Sequence, residues 1–279
     1  MRYEELYRYG VKGLEEAGIG EASLDARLLL EYVCHTDRNQ LLAHGEEEVA
    51  PEPEAMYRTL LEKRAAHMPL QYMTGTQEFM GLTFMVNENV LIPRQDTEIL
   101  VEEAMRELHD GMSILDLCTG SGCILLSLLR YSNDCKGVGV DCSGKALEVA
   151  RRNARLLSVD ADFRECDLCA GLDAGVKFDM LVSNPPYIPS AVIPSLSAEV
   201  RLHEPREALD GRADGLHFYR RISREAKPFL YRGAPVFLEI GYDQGQEVMG
   251  IFRDAGYADV ELIKDYAGND RVVKCFFVS

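Results

Sequence analysis

The chain has 279 residues, 47% hydrophobic and 27% charged, which is ordinary globular composition and length enough for two cores. Its formal net charge of −16 argues against nucleic acid as the main partner, since gripping phosphates takes a basic face; only local pairs such as Arg151-Arg152 and Arg220-Arg221 are basic. No apolar run could span a bilayer, and Met1-Arg2-Tyr3-Glu4-Glu5 lacks the basic start of a secretion signal, so a cytoplasmic location without membrane contact is expected.

Residues 1 to about 70 read as helices. Leu24, Leu28 and Tyr32 recur at four-residue spacing behind Ser23, a good N-cap, and Leu29 widens the stripe. Pro51-Glu52-Pro53-Glu54 marks a second start, with acids in the first turn and Lys63-Arg64 at the far end. Residues 71 to 95 change character: Phe79, Leu82, Phe84 and Val86 among Gly75 and Gly81 predict a hairpin joining two domains.

From Asp96 onward strands alternate with helices. Strands are predicted at Ser113 to Leu117, Gly137 to Val140, Asp162 to Arg164, Phe178 to Ser183 and Val236 to Ile240. Helices fall at Ile124 to Leu129 and Lys145 to Leu157. The alternation demands a mainly parallel α/β sheet with helices on both faces. Val260 to Ile263 and Arg271 to Phe277 are too close for a crossover helix, so they pair antiparallel.

Asp116-Leu117-Cys118-Thr119-Gly120-Ser121-Gly122 follows the first of these strands and opens a helix, where glycines admit a ligand and amides stand free. Asp141 ends the next strand, placed to accept the hydroxyls of a ribose. The third glycine of a dinucleotide fingerprint is missing after Gly122. Asp116 also suits a cationic amino-acid moiety better than a pyrophosphate. S-adenosylmethionine, with an ammonium, a sulfonium and no phosphate, fits both observations.

Phe178 to Ser183 runs into Asn184-Pro185-Pro186-Tyr187 at the carboxyl end of a strand, where open parallel sheets bind ligands. Consecutive prolines make the loop rigid. The Asn184 side-chain oxygen and the Pro185 carbonyl are then two acceptors aimed at one point, which an NH2 group with two hydrogens satisfies. Tyr187 packs against the flat group carrying that nitrogen. Holding both N–H bonds exposes the nitrogen lone pair, so methyl transfer needs alignment rather than a strong base. The eight cysteines lack paired spacing, and the lone Cys166-Asp167-Leu168-Cys169 has no second ligand pair, so reduced thiols and no metal are expected.

On these two motifs the chain resembles, over nearly its whole length, the PrmC/HemK group of peptide chain release factor glutamine methyltransferases. Supporting segments are Pro69-Leu70-Gln71-Tyr72, Leu91-Ile92-Pro93-Arg94 with Asp96-Thr97-Glu98, Asp214-Gly215-Leu216, and Glu239-Ile240-Gly241 with Gln244-Gly245. The resemblance implies methylation of the glutamine of the Gly-Gly-Gln motif in class 1 release factors. It implies a helical substrate-recognition domain (1–72), a hairpin linker (73–95) and a Rossmann-like, seven-stranded S-adenosylmethionine-dependent methyltransferase domain (96–279) whose last strand is antiparallel. Carried over by position, Cys118 to Gly122 form the cofactor loop, Asp141 is the ribose acid, Asp167 and Leu168 mark the adenine region, and Asn184 to Tyr187 hold the glutamine. A monomer is expected.

Three positions depart from the group's pattern: Cys118 in place of a glycine, Leu168 where some relatives carry an aromatic residue, and Gln95 where proline is common. From the first we expect a backbone at Cys118 without strongly positive φ. Two other catalytic readings stay open on the sequence, a DNA adenine-N6 methyltransferase and a methyltransferase of another protein's glutamine. A non-catalytic sensor of the cofactor is a further reading, though a sensor has no need of two acceptors for NH2.

Overall fold

The computed structural model describes residues 1–278. They form two compact units, one comprising Met1–Gly75 with Ser197–His203, the other Thr76–Leu196 with the chain from Glu204 onward. No helix among the described residues is long and apolar enough to cross a membrane.

The first unit contains α1 (Tyr3–Glu16), α2 (Ala22–Cys34), α3 (Arg38–Ala43), α4 (Pro51–Ala65) and α5 (Leu70–Thr74). Leu6, Gly10 and Leu14, four apart, turn the same face of α1 inward. Gly10 is required there, because a Cβ would run into the ring hydroxyl of Tyr57. That buried hydroxyl donates to the Ala26 carbonyl at 3.0 Å, so the ring brings no unsatisfied polar atom inside. The stripe expected on α2 is corrected: Leu29 is buried as expected, but Leu24 and Tyr32 are exposed, and Ala22, Ala26, Leu30 and Val33 are buried in their place. Ser23 lies inside the helix, whose N-cap is Glu21 without a side-chain bond. Facing helices, rather than local spacing, selected the buried side.

In the second unit, β1 (Thr76–Phe79) and β2 (Leu82–Met85) pair antiparallel around Met80 and Gly81, both with positive φ, as a two-residue turn matched to strand twist requires. There follow α6 (Glu98–Glu107), β3 (Ser113–Leu117), α7 (Cys123–Arg130), β4 (Lys136–Asp141), α8 (Gly144–Leu157), β5 (Asp162–Glu165) and β6 (Met180–Ser183). Then come α9 (Ala198–His203), α10 (Arg206–Leu209), α11 (His217–Glu225), β7 (Pro235–Glu239), α12 (Gly245–Asp254), β8 (Ala258–Lys264) and β9 (Asp270–Phe276). Of these α9 groups with the helical unit. There Glu199 meets the Arg64 guanidinium at 3.1 Å, and His203 Nε2 donates to the Ala66 carbonyl, the C-cap of α4, at 3.1 Å.

The strands form one seven-stranded sheet in the order β5-β4-β3-β6-β7-β9-β8, parallel except for β9, which inserts antiparallel between β7 and β8. Alternate residues serve opposite faces, as the pleat dictates. Leu115, Leu117, Leu181, Val236 and Leu238 enter one core, and Ile114, Met180, Val182 and Phe237 the other. Phe178, expected inside the strand, makes an isolated bridge to Leu230 two residues before β6 begins. The chain winds outward from β3 in one direction through β4 and β5, and from β6 in the other through β7. The switch point therefore lies between β3 and β6.

Candidate active site

At that switch point Leu117 pairs with Ser183, and the Ser183 hydroxyl donates to the Leu117 carbonyl at 2.6 Å. The residues that follow, Cys118 and Asn184, leave the sheet side by side. Both line one cleft.

The loop after β3 is fixed by its own bonds. Thr119 Oγ1 donates to Asp116 Oδ2 at 2.6 Å, the Gly120 amide donates to Asp141 Oδ2 at 2.9 Å, and the Gly122 amide returns to the Thr119 carbonyl. Gly120 has φ +55, and no protein atom lies where its Cβ would be, so the cleft reaches the bare backbone there. Gly122, at φ +80, starts α7 against Leu126 and Ala150. Cys118 has φ +59, which corrects the expectation for that residue. A side chain there costs roughly 1 kcal/mol relative to glycine, and the surrounding bonds impose the conformation anyway.

Asp116 is wholly buried and its Oδ1 has no hydrogen-bond partner among the described residues. Burial raises its pKa to about 7 against the Thr119 bond, with the charge of Asp141 adding to the rise. Asp141 is likewise pushed up by burial, opposed by the amides of Ser143 and Gly120 that its two oxygens accept. An unpartnered buried acceptor beside a second carboxylate attracts a cation.

Of the residues singled out in sequence, Cys118, Thr119, Gly120, Ser121, Asp141, Asp167, Leu168, Asn184 and Pro186 line the cleft together. Asp116, Gly122, Pro185 and Tyr187 do not. Asp167 is tied to Arg221 Nη1 at 2.8 Å. Leu168 is buried with φ +52.

The Asn184–Tyr187 loop is braced from outside. Gln244 Nε2 donates to the Tyr187 carbonyl at 3.0 Å, while its Oε1 accepts the Gly241 amide. The Ile188 amide reaches the Leu209 carbonyl, and the Gly211 amide the Ile188 carbonyl. Gly211 and Gly215 lie so close that a Cβ on either would strike the Tyr187 backbone. Tyr187 is largely buried, with its hydroxyl 3.5 Å from Glu239 Oε1, and burial beside that carboxylate raises its pKa. Asn184 Nδ2 donates to Thr97 Oγ1 at 3.4 Å. Burial lifts Glu239 to about 7, opposed by a hydrogen bond from Thr97 and by the charge of Arg271. Thr97, Glu239, Gln244, Gly211 and Gly215 received no role from sequence. The segments of Thr97, Glu239, Gln244 and Gly215 carried the family resemblance, but no local pattern tied any of the five to the loop.

Residues 5–75 match the PrmC N-terminal domain family, and residues 94–209 the methyltransferase small domain family. The release factor glutamine methyltransferase of Caulobacter vibrioides is 43% identical over 264 residues, covering 93% of this chain and 91% of that protein. That of Moorella thermoacetica is 45% identical over 271 residues, covering 95% and 94%. Among solved structures, a methyltransferase from Pyrococcus furiosus superposes with a TM-score of 0.56 at 17% identity, over 78% of this chain and 99% of that one, a likeness of fold. With such identity running through both units, the chain belongs to the release factor glutamine methyltransferase family.

Proposed function

We propose that this chain transfers the methyl group of S-adenosylmethionine to the side-chain amide nitrogen (N5) of the glutamine in the Gly-Gly-Gln motif of class 1 release factors. We assign release-factor recognition to residues 1–72, a linker role to 73–95 and the chemistry to 96–279. The observation that carries the reading is the shared cleft: a glycine loop and Asn184 leave paired strands side by side, so a cofactor on one loop adjoins a substrate on the other.

The residues fit the cofactor. Asp116 offers a buried, unpartnered oxygen for its ammonium, Gly120 leaves the backbone bare, and Asp141 keeps lone pairs for ribose hydroxyls. Thr119, Ser121, Asp167 and Leu168 line the same cleft, the first two where they would wall the amino-acid end and the last two where they would flank the adenine. When bound, S-adenosylmethionine supplies an electrophilic methyl carbon on a sulfonium.

Asn184 Oδ1 and the Pro185 carbonyl hold the two N–H bonds of the substrate amide. Held so, the nitrogen's lone pair leaves conjugation and faces the donor. The same two oxygens stabilise positive charge as the nitrogen turns tetrahedral, and the surplus proton then leaves to water. Pro186 stiffens the loop, and Tyr187 packs the flat amide.

Labelled cofactor offered to an unmodified release factor, its glutamine-to-alanine variant and duplex DNA tests the assignment. Label is expected in the intact release factor alone. Label in DNA, or in the variant lacking the glutamine, overturns it.

A further inference from the structure

We propose that Arg94 binds the carboxylate of the cofactor: its guanidinium, anchored by the buried Glu204, takes the acid group of the methionine moiety at the methyl-transfer end of the cleft. The inference rests on the cofactor reading above and gives a partner to the one charge still without one.

S-adenosylmethionine carries two cationic groups, the ammonium and the sulfonium, and one anionic group, the carboxylate. The cleft suits the cations. Asp141, Asp167 and Glu207 line it, and Asp116 is buried close enough to feel the charge of Asp141. Such an acidic wall repels a carboxylate unless a cation stands where that carboxylate comes to rest. Arg94 is the only basic side chain among the described residues that line the cleft.

Its place in the fold matches the need. The strand order β5, β4, β3, β6 sets Asp167, Asp141, Cys118 and Asn184 in that sequence along the carboxyl edge of the sheet. Arg94 belongs to the Asn184 end. Its carbonyl accepts the Thr97 amide at 3.1 Å, and Thr97 Oγ1 accepts from Asn184 Nδ2 at 3.4 Å. Burial and Glu239 raise the Tyr187 pKa, and Arg94 is near enough to oppose them. Methyl transfer needs the sulfonium beside Asn184, and a short alkyl chain separates that sulfur from the carboxylate. A partner for the carboxylate therefore belongs at this end and not at the adenine end.

The guanidinium is held on one side and open on the other. Arg94 Nη2 is bonded to Glu204 Oε1; the Glu204 side chain is almost wholly buried, while that of Arg94 is 40% exposed. A guanidinium presents several N–H donors in a planar fork, so one carboxylate leaves donors for a second. The chain uses that geometry elsewhere. Arg64 joins Asp25 to Glu199, and Arg271 joins Asp96 to Asp265. In the cleft the second carboxylate comes with the ligand.

Calorimetry separates this from a structural role, because the carboxylate can be removed from the ligand as well as its partner from the protein. Wild type, Arg94→Gln and Arg94→Lys are titrated with S-adenosylmethionine and with its decarboxylated form, which keeps the adenosine, the sulfonium and the amine. Glutamine retains an NH2 for Glu204 without the charge, and lysine retains the charge without the fork. S-adenosylmethionine should bind Arg94→Gln about 10- to 100-fold more weakly than wild type. The affinity for the decarboxylated form should change by less than about threefold. Preference between the two ligands thus falls about tenfold or more, and Arg94→Lys keeps part of it. Because the preference is a ratio within one variant, a partly unfolded preparation does not alter it. Should Arg94→Gln fail to fold, the loss of preference in Arg94→Lys carries the same test. An unchanged preference overturns the inference. Equal weakening of both ligands would make Arg94 structural, and no weakening would leave the carboxylate to the amides after β3. Failure of the wild type to bind S-adenosylmethionine instead removes the cofactor reading beneath it.

Discussion

The two loops that meet at the switch point are held in opposite ways. After β3 the chain is bonded from within, through Asp116, Thr119, Gly120 and Asp141, residues 118, 120 and 122 are left-handed, and Gly120 brings bare backbone to the cleft. After β6 it is stiffened by Pro185-Pro186 and braced by Gln244 and the backbone of residues 209–211. A loop that surrounds a ligand needs close approach, which small or left-handed residues give. A loop that must aim two oxygens needs fixed direction, which prolines and external bonds give. Binding and aiming should therefore separate under mutation.

The largest separation is expected from Asn184→Ala. It deletes one acceptor and leaves the β3 loop alone, so methyl transfer should fall about 10²- to 10³-fold, read by single-turnover labelling. Cofactor affinity by calorimetry should move by less than about threefold. Parallel losses of both would mean that the loops act as one.

Asp116→Asn probes the other loop through pH. The folded chain binds the Asp116 proton more tightly than the unfolded chain does, with the pKa raised to about 7 from 3.8. Its stabilisation is complete below the unfolded value and is lost as pH rises through the folded one. Without cofactor, the variant should be more stable than wild type by on the order of 2–4 kcal/mol at about pH 8, and hardly so at about pH 4. Chemical denaturation at both values checks this. A gap independent of pH would mean that the carboxylate's burial has no part in it.

Gly215→Ala attacks the brace. A Cβ at φ +76 would press on the Tyr187 carbonyl and lie 2.5 Å from Gln244 Nε2. Stability should drop by about 1–3 kcal/mol in urea, with turnover falling more than cofactor affinity. Cys118→Gly should do least. Relief at φ +59 is opposed by lost packing and by a freer unfolded chain, so the midpoint should shift by less than about 1 kcal/mol.

Much of the architecture was legible because it is local. Strands showed as apolar runs, the glycine loop and Asp141 stood at strand ends, and 260–263 with 271–277 were too close for a crossover. What was not legible is carried by distance. Thr97 reaches Asn184 from 87 positions away, by the turn before α6, and Glu239 reaches Tyr187 from 52, by strand register. No spacing rule joins such residues. Leu24 and Tyr32 misled because four-residue spacing names a face without naming what faces it. Cys118 misled because its identity suggested a conformation that its neighbours' bonds override.

The position of Arg64 has a consequence for how the protein is made. Its guanidinium is buried between Asp25, at 2.7 Å, and Glu199, 135 positions further along the chain. During synthesis the helices before residue 75 emerge with that cation lacking one of its two acids. At 5–20 residues per second, Glu199 follows on the order of 10 s later. Until then the first-made unit stays incomplete, and a fragment cut at residue 75 would keep it so permanently.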